Sequence, residues 1–197
     1  MEFPGLVAII AFAATDIDDL FLLMIFYSSR TFPARQVTLG QFIGIGVLIA
    51  ISVLGSLIAL VIPTYVIGLL GLVPLAIGIK NLIEVRNSDK ISSMHTVPKK
   101  NNSYLTFLSV AAVTISNGGD NIGVYVPLFS KYNTVDQITV LTSVFIAMTA
   151  VWCIAAYYLV NHPVLASRIR YTGNTIMPFV LIGLGIYILA DSFLFIQ

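Results

Sequence analysis

Six predominantly apolar stretches, each about 20 residues or longer, account for most of this chain: roughly 4–27, 38–62, 64–84, 104–128, 137–160 and 174–196. About 20 such residues in a helix cross the hydrocarbon core of a bilayer. In that environment every backbone N–H and C=O must find its partner inside the protein, so spans of this kind are helices. Almost nothing remains for a soluble domain. Only 10% of residues are charged and 58% are hydrophobic, with a mean hydropathy of +0.96; a soluble domain carries about 25% charged residues. The expected fold is an all-α integral membrane protein with six transmembrane helices. The N-terminus carries Glu2 and no basic region, so residues 1–27 do not read as a cleaved signal peptide. A single cysteine, Cys153 in the fifth run, excludes an intrachain disulfide and a cysteine cluster.

Charge placement predicts the orientation. If both termini share one side, loops 1–2, 3–4 and 5–6 lie on the other. Those loops hold Arg30, Arg35, Arg86, Lys90, Lys99, Lys100, Arg168 and Arg170, with Lys80 near the same side, against Lys131 alone on the side of the termini. The positive-inside rule then puts the three basic loops, including the polar loop 85–103, in the cytoplasm and both termini outside.

Two of the runs carry acids at mid-depth. The first is Thr15-Asp16-Ile17-Asp18-Asp19; the second is Asn117-Gly118-Gly119-Asp120-Asn121. Each ionised Asp at the centre of a membrane helix costs about 2.5–3.5 kcal/mol on insertion scales. No Lys or Arg lies inside either segment to pair with them, which points to a cation that comes and goes. Gly118-Gly119 weakens its helix by about 1 kcal/mol per Gly relative to Ala, and Ser116 and Asn117 can bond the backbone groups so freed. In a straight helix the three acids of the first cluster would spread over about 160°. They converge only if that helix faces a crevice or is distorted.

The chain also reads as duplicated. With Asp18 set against Asp120, Ile17-Asp18-Asp19-Leu20 faces Gly119-Asp120-Asn121-Ile122, and Tyr27-Ser28 faces Phe129-Ser130. Ile62-Pro63 matches His162-Pro163, Gly78-Ile79-Lys80 matches Gly185-Ile186-Tyr187, and Glu84 matches Asp191. Three spans per unit is an odd number, so the expected architecture is two inverted three-helix repeats, residues 1–84 and 104–197, joined by the cytoplasmic loop 85–103. Secondary transporters with this symmetry bind substrate at the midplane between the halves.

Other features have plainer readings. Gly40-x-x-x-Gly44 and Gly68-x-x-Gly71 suit close helix packing. Lys80 and Glu84, four residues apart, read as an ion pair at the cytoplasmic rim. Met24, Met148, Met177 and Cys153 read as packing residues, and Met94-His95 as part of a solvated connection.

Six runs, Thr-x-Ile-Asp-Asp-Leu in the first, Asn-Gly-Gly-Asp-Asn-Ile in the fourth and Pro74-Leu-x-x-Gly-Ile79 in the third together resemble the cadmium resistance transporter (CadD-type) family, within the lysine exporter superfamily. The resemblance covers essentially the whole chain. It implies a small bacterial inner-membrane protein that exports Cd²⁺. It carries a metal-handling role to Asp18, Asp19, Asp120 and Asn121, with Asp16, Thr15 and Asn117 adjacent. The chemistry of the residues leaves the ion open: carboxylates, amides and hydroxyls are hard oxygen ligands suited to Mg²⁺, Ca²⁺ or Mn²⁺. An oxygen-rich site also fits an exporter that must release a soft ion. Zn²⁺, Mn²⁺, Ca²⁺ or a small amino acid remain alternative cargoes. No resident cofactor and no nucleic acid are expected; the partners are the divalent ion and the lipid bilayer. Oligomeric state stays open, a homo-oligomer included.

Other classes fit less well. An intramembrane aspartyl protease needs Gly-x-Gly-Asp, and Asn117 stands where the first Gly belongs. A membrane thiol carrier needs a Cys pair. A structural subunit leaves acids in both halves unexplained. The chain is thus not expected to be an enzyme. No Gly-x-x-x-x-Gly-Lys-[Ser/Thr] motif offers ATP binding, so energy must come from an ion gradient, or the flux is downhill. Carboxyls packed in one crevice cannot all be ionised cheaply without a cation, which suggests protons held when empty, displaced by metal, and a proton antiport.

Overall fold

A computed structural model describes residues 3–29, 32–59, 69–70, 72–86, 106–162, 164 and 178–190. Among them the chain is helical, with no strand. Helix α1 runs Pro4–Thr15 and α2 Ile17–Ser28, so the first apolar run is two helices with Asp16 between them. Helix α3 is Ala34–Ala59 and α4 is Leu72–Arg86. The fourth run is likewise divided, into α5 (Thr106–Asn117) and α6 (Gly119–Lys131), at Gly118. Helix α7 is Val135–Leu159 and α8 is Pro178–Ala190.

Local sequence sets these bounds. Pro4 occupies the first turn of α1, where its missing N–H costs nothing. The carbonyl of Pro33 accepts from Gln36 and Val37 at 2.9 and 3.1 Å and opens α3. Thr134 caps α7 through a reciprocal pair with Gln137. Two helices, Ala34–Ile58 and Val135–Leu159, are each 25 residues long and apolar enough to cross a membrane. At 1.5 Å per residue each spans about 37 Å. Pro4–Thr15, Phe107–Asn117 and Pro178–Ala190 are apolar but shorter.

Helix α3 packs along α5, α6 and α7, while α1 and α2 lie against α7. The glycines of α3 make the first contact possible. A Cβ at Gly40 would meet the Phe107 carbonyl at 2.5 Å and Val110 Cβ at 2.6 Å, and one at Gly44 would meet Thr114 Cβ at 2.7 Å. The expected role of Gly40-x-x-x-Gly44 in close packing is what the fold uses. Gly78 brings α4 equally close to α8, where a Cβ would lie 2.8 Å from the Pro178 carbonyl.

Buried apolar side chains form two clusters. One gathers Phe12 of α1, Ile45 and Leu48 of α3, Val124 and Tyr125 of α6, and Phe145 of α7. The other gathers Leu20 and Phe26 of α2, Val37 of α3, Val110 of α5, and Cys153 and Ala156 of α7. Each long or divided helix passes from one cluster to the other, and the residues at the crossing are polar and buried: Thr15, Asp16 and Asp19; Gln41; Thr114 and Asn121; Thr149. A polar layer therefore separates two apolar halves, and both helix breaks lie in it. Cys153 and Met24 pack in the second cluster and Met148 against the first, which agrees with their reading as packing residues. The side chain of Glu84, residues 62–63 and 163, Met94-His95, Met177, Asp191, and loop 85–103 beyond residue 86 lie outside the described residues, as do Gly68 and Gly71.

Candidate functional site

The first break comes from polar side chains that compete with the helix for its own backbone. Thr15 Oγ1 bonds back to the Ala11 carbonyl at 3.0 Å and reaches Asp16 Oδ2 at 3.1 Å. Asp16 takes φ −99° and ψ 17°. Its N–H still donates to the Phe12 carbonyl at 2.9 Å, but its own carbonyl is shared. Leu20 N donates to it at 3.3 Å, and Trp152 Nε1 of α7 at 2.6 Å. A donor inserted into the helical ladder is a common cause of a kink.

The second break lies where a side chain is missing. Gly118 takes φ −78° and ψ 22°, and a Cβ there would run into the buried Leu48 side chain. Its N–H is divided between the carbonyls of Thr114 (2.9 Å) and Ile115 (3.3 Å). Setting Asp18 against Asp120 puts Asp16 against Gly118, so the two helices break at matching positions. The acids then fall in first turns: Asp18 and Asp19 in α2, Asp120 in α6. The helix dipole at such an end stabilises a negative charge by about 0.3–1 kcal/mol.

Hydrogen bonds join the two breaks. Asn117 Nδ2, on the last residue of α5, donates to Asp18 Oδ2 and to Asp19 Oδ1, each at 3.0 Å. Gln41 Nε2 donates to Asp19 Oδ2 at 2.8 Å, and Gln41 Oε1 accepts from Thr114 Oγ1 at 2.6 Å. Asn121 Nδ2 donates to Asp16 Oδ1 at 2.9 Å, and the Tyr125 hydroxyl to Asp16 Oδ2 at 2.5 Å. Asp120 Oδ1 accepts from Asn121 N at 3.0 Å. Residue 19 of the first half thus bonds residue 117 of the second, while residue 121 bonds residue 16, a near-reciprocal exchange.

The seven residues singled out from the sequence fall into two groups. Asp18, Asp19 and Asn117 share one set of bonds, while Asp120, in the first turn of α6, accepts from the N–H of Asn121. Thr15, Asp16 and Asn121 share another, sealed from solvent, with Asp16 at 0% exposure. Among the described residues no three of His, Cys, Asp and Glu are gathered as a ready metal site; amides stand between the acids. Asn117 does not satisfy freed backbone, as its place beside Gly118 suggested, because its amide is spent on the carboxylates.

Sequence reasoning missed Gln41, Thr114, Tyr125 and Trp152. Gln41 had a signal: it is a buried amide inside an apolar run, flanked by Gly40 and Gly44. Thr114 lies one turn before the Asn-Gly-Gly motif. Tyr125 and Trp152 had none, since aromatic residues in apolar helices read as packing. Here they also pack, Tyr125 stacked on Phe145 at 4.3 Å and Trp152 edge-on to Phe12 at 5.6 Å.

Residues 12–195 match the family described as cadmium resistance transporter. Neither a curated protein nor a solved structure gives a significant match. The family match spans nearly the whole chain and includes both breaks, so this chain belongs to the cadmium resistance transporter family.

Proposed function

We propose that this member of the family is a secondary transporter, not an enzyme, that exports a divalent cation, Cd²⁺ foremost, from the bacterial cytoplasm across the inner membrane. The observation that carries the reading is the pair of helix breaks at matching positions, with acids in the first turns that follow and bonds exchanged across them. Discontinuous helices of this kind form midplane ion sites in transporters, where half-helix ends and freed backbone carbonyls face the ion.

The ion is held by Asp18, Asp19 and Asp120, with the carbonyl oxygen of Asn121, whose nitrogen is used on Asp16. Asp16 and Thr15 shape the break and keep α2 in register with α6. The polar layer sits at the bilayer midplane. Six spans in two inverted repeats surround it, with both termini outside. Oxygen donors bind Cd²⁺ less tightly than thiolates would, which favours release. Metal binding needs deprotonated ligands; the ion arriving from the cytoplasm displaces one or more protons held by the cluster, Asp19 excepted because both its oxygens accept from amides, and protons rebinding from outside help expel it.

Purified protein in liposomes tests this against a panel of Cd²⁺, Zn²⁺, Mn²⁺ and Ca²⁺. The expected result is saturable Cd²⁺ flux, with counter-movement of protons and acceleration by an opposing pH gradient. Flux that ignores the pH gradient removes the antiport and leaves the site. Absence of flux for every ion removes the transport reading itself.

A further inference from the structure

We propose that the side-chain amide of Asn117 is a built-in occupant of the Asp18–Asp19 pair, displaced by the ion when it binds and returned when it leaves. This deepens the transport reading above and rests on it. The Nδ2 group lies 3.0 Å from one oxygen of each carboxylate. An amide NH₂ has two N–H bonds, one for each acid, so it presents the positive edge of a dipole to both at once. Its position between the two acids is the one a shared cation would take.

The surroundings hold the pair ready for it. Asp19 as a carboxylate only accepts, which turns the nitrogen of Gln41 towards it and leaves Gln41 Oε1 to the Thr114 hydroxyl. Asp19 Oδ2 is thereby fixed from α3, and Oδ1 faces Asn117. Hard-ion ligands sit about 2.3–2.6 Å from a divalent cation. An NH₂ group pointing two protons at the same oxygens cannot remain there beside the ion. Asn117 must withdraw, and as the last residue of α5, next to the break at Gly118, it moves with that end.

Two consequences follow, one for entry and one for release. An ion meets a pair that is already engaged, so its apparent affinity is reduced by the fraction of time the pair is open. After release the amide returns to the acids, so the emptied pair is never bare and the ion leaves more readily. A ligand role for Asn117 predicts the reverse for affinity.

The test measures Cd²⁺ binding by calorimetry on the full chain in detergent and Cd²⁺ flux in liposomes, for wild type, Asn117→Ala, the near-isosteric Asn117→Leu, and Asn117→Gln. Loss of charge-assisted bonds from the empty state predicts about tenfold tighter binding for Ala and Leu, together with a lower maximal flux. Gln keeps the amide and is expected to bind nearer to wild type and recover part of the flux. Should Ala not fold, Leu gives the same sign. Binding that is weaker or unchanged in whichever of these two folds, or Gln no closer to wild type than they are, overturns the displaced amide while leaving transport in place. Failure of the wild type to bind Cd²⁺ overturns both.

Discussion

Between Thr15 and Asp19 the chain interrupts a helix by adding polar side chains; between Asn117 and Asn121 it interrupts one by removing a side chain. The first break draws a Trp152 N–H onto the Asp16 carbonyl and places three carboxylates within four residues. The second packs Gly118 against Leu48 and places two asparagines around one acid. The first half mainly accepts hydrogen bonds and the second mainly donates them, so the two fit each other better than either would fit a copy of itself. Two identical acidic breaks would have repelled, and two amide breaks would have had no charge to offer an ion.

The comparison breaks most visibly at the acids themselves. Asp18→Asn or Asp19→Asn is expected to reduce Cd²⁺ flux at least about 100-fold, beyond the 10–100-fold typical of residues that only support a ligand. Flux in liposomes at matched protein amount reads it. A variant that transports as well as wild type would show that the carboxylates of the first half are scaffold.

Asp16 sharpens the contrast within the first half, because it is sealed and bonded to Asn121 and Tyr125. Asp16→Ala orphans the buried Tyr125 hydroxyl and Asn121 amide. Buried groups left without partners predict a loss of about 2–4 kcal/mol, read by thermal unfolding in detergent. An unchanged unfolding temperature with abolished ion binding would instead place Asp16 among the ligands.

The two adjacent glycines separate the break from its neighbour. Gly118→Ala drives a methyl group into Leu48, which predicts about 1–3 kcal/mol of destabilisation. Gly119→Ala meets nothing within 4 Å and its φ is not positive, so it is expected to be neutral or to stabilise by about 0.4–1 kcal/mol. Equal effects at both positions would show that helix propensity, rather than the contact with α3, sets the break. A comparably small effect is at α7: Trp152→Phe removes one hydrogen bond to the Asp16 carbonyl, a loss of about 1 kcal/mol by the same unfolding assay.

Much of this was legible in the chain. Gly118-Gly119 marked the second break because missing side chains destabilise a helix; the acids of the first run left a crevice-facing helix and a distorted one both open, and the structure breaks that helix at Asp16. That the first break falls at Asp16 was not legible, since Thr15, Asp16 and Asp18 all carry groups that compete for backbone. The partners were hidden for a different reason. Which amide meets which acid depends on how closely α3 approaches α5, and that follows from Gly40 and Gly44 acting against Phe107 and Val110, residues far apart in sequence. Trp152 is 136 residues from the carbonyl that it binds, and no spacing rule connects them.

Metal-edge X-ray absorption on the purified protein loaded with one equivalent of Cd²⁺ addresses the carboxylate site most directly. The expected spectrum contains oxygen or nitrogen neighbours alone, with oxygens at about 2.3–2.6 Å, and the bound metal is lost in Asp18→Asn. A sulfur neighbour, from Cys153 or a methionine, or full retention of the metal by Asp18→Asn, would contradict it.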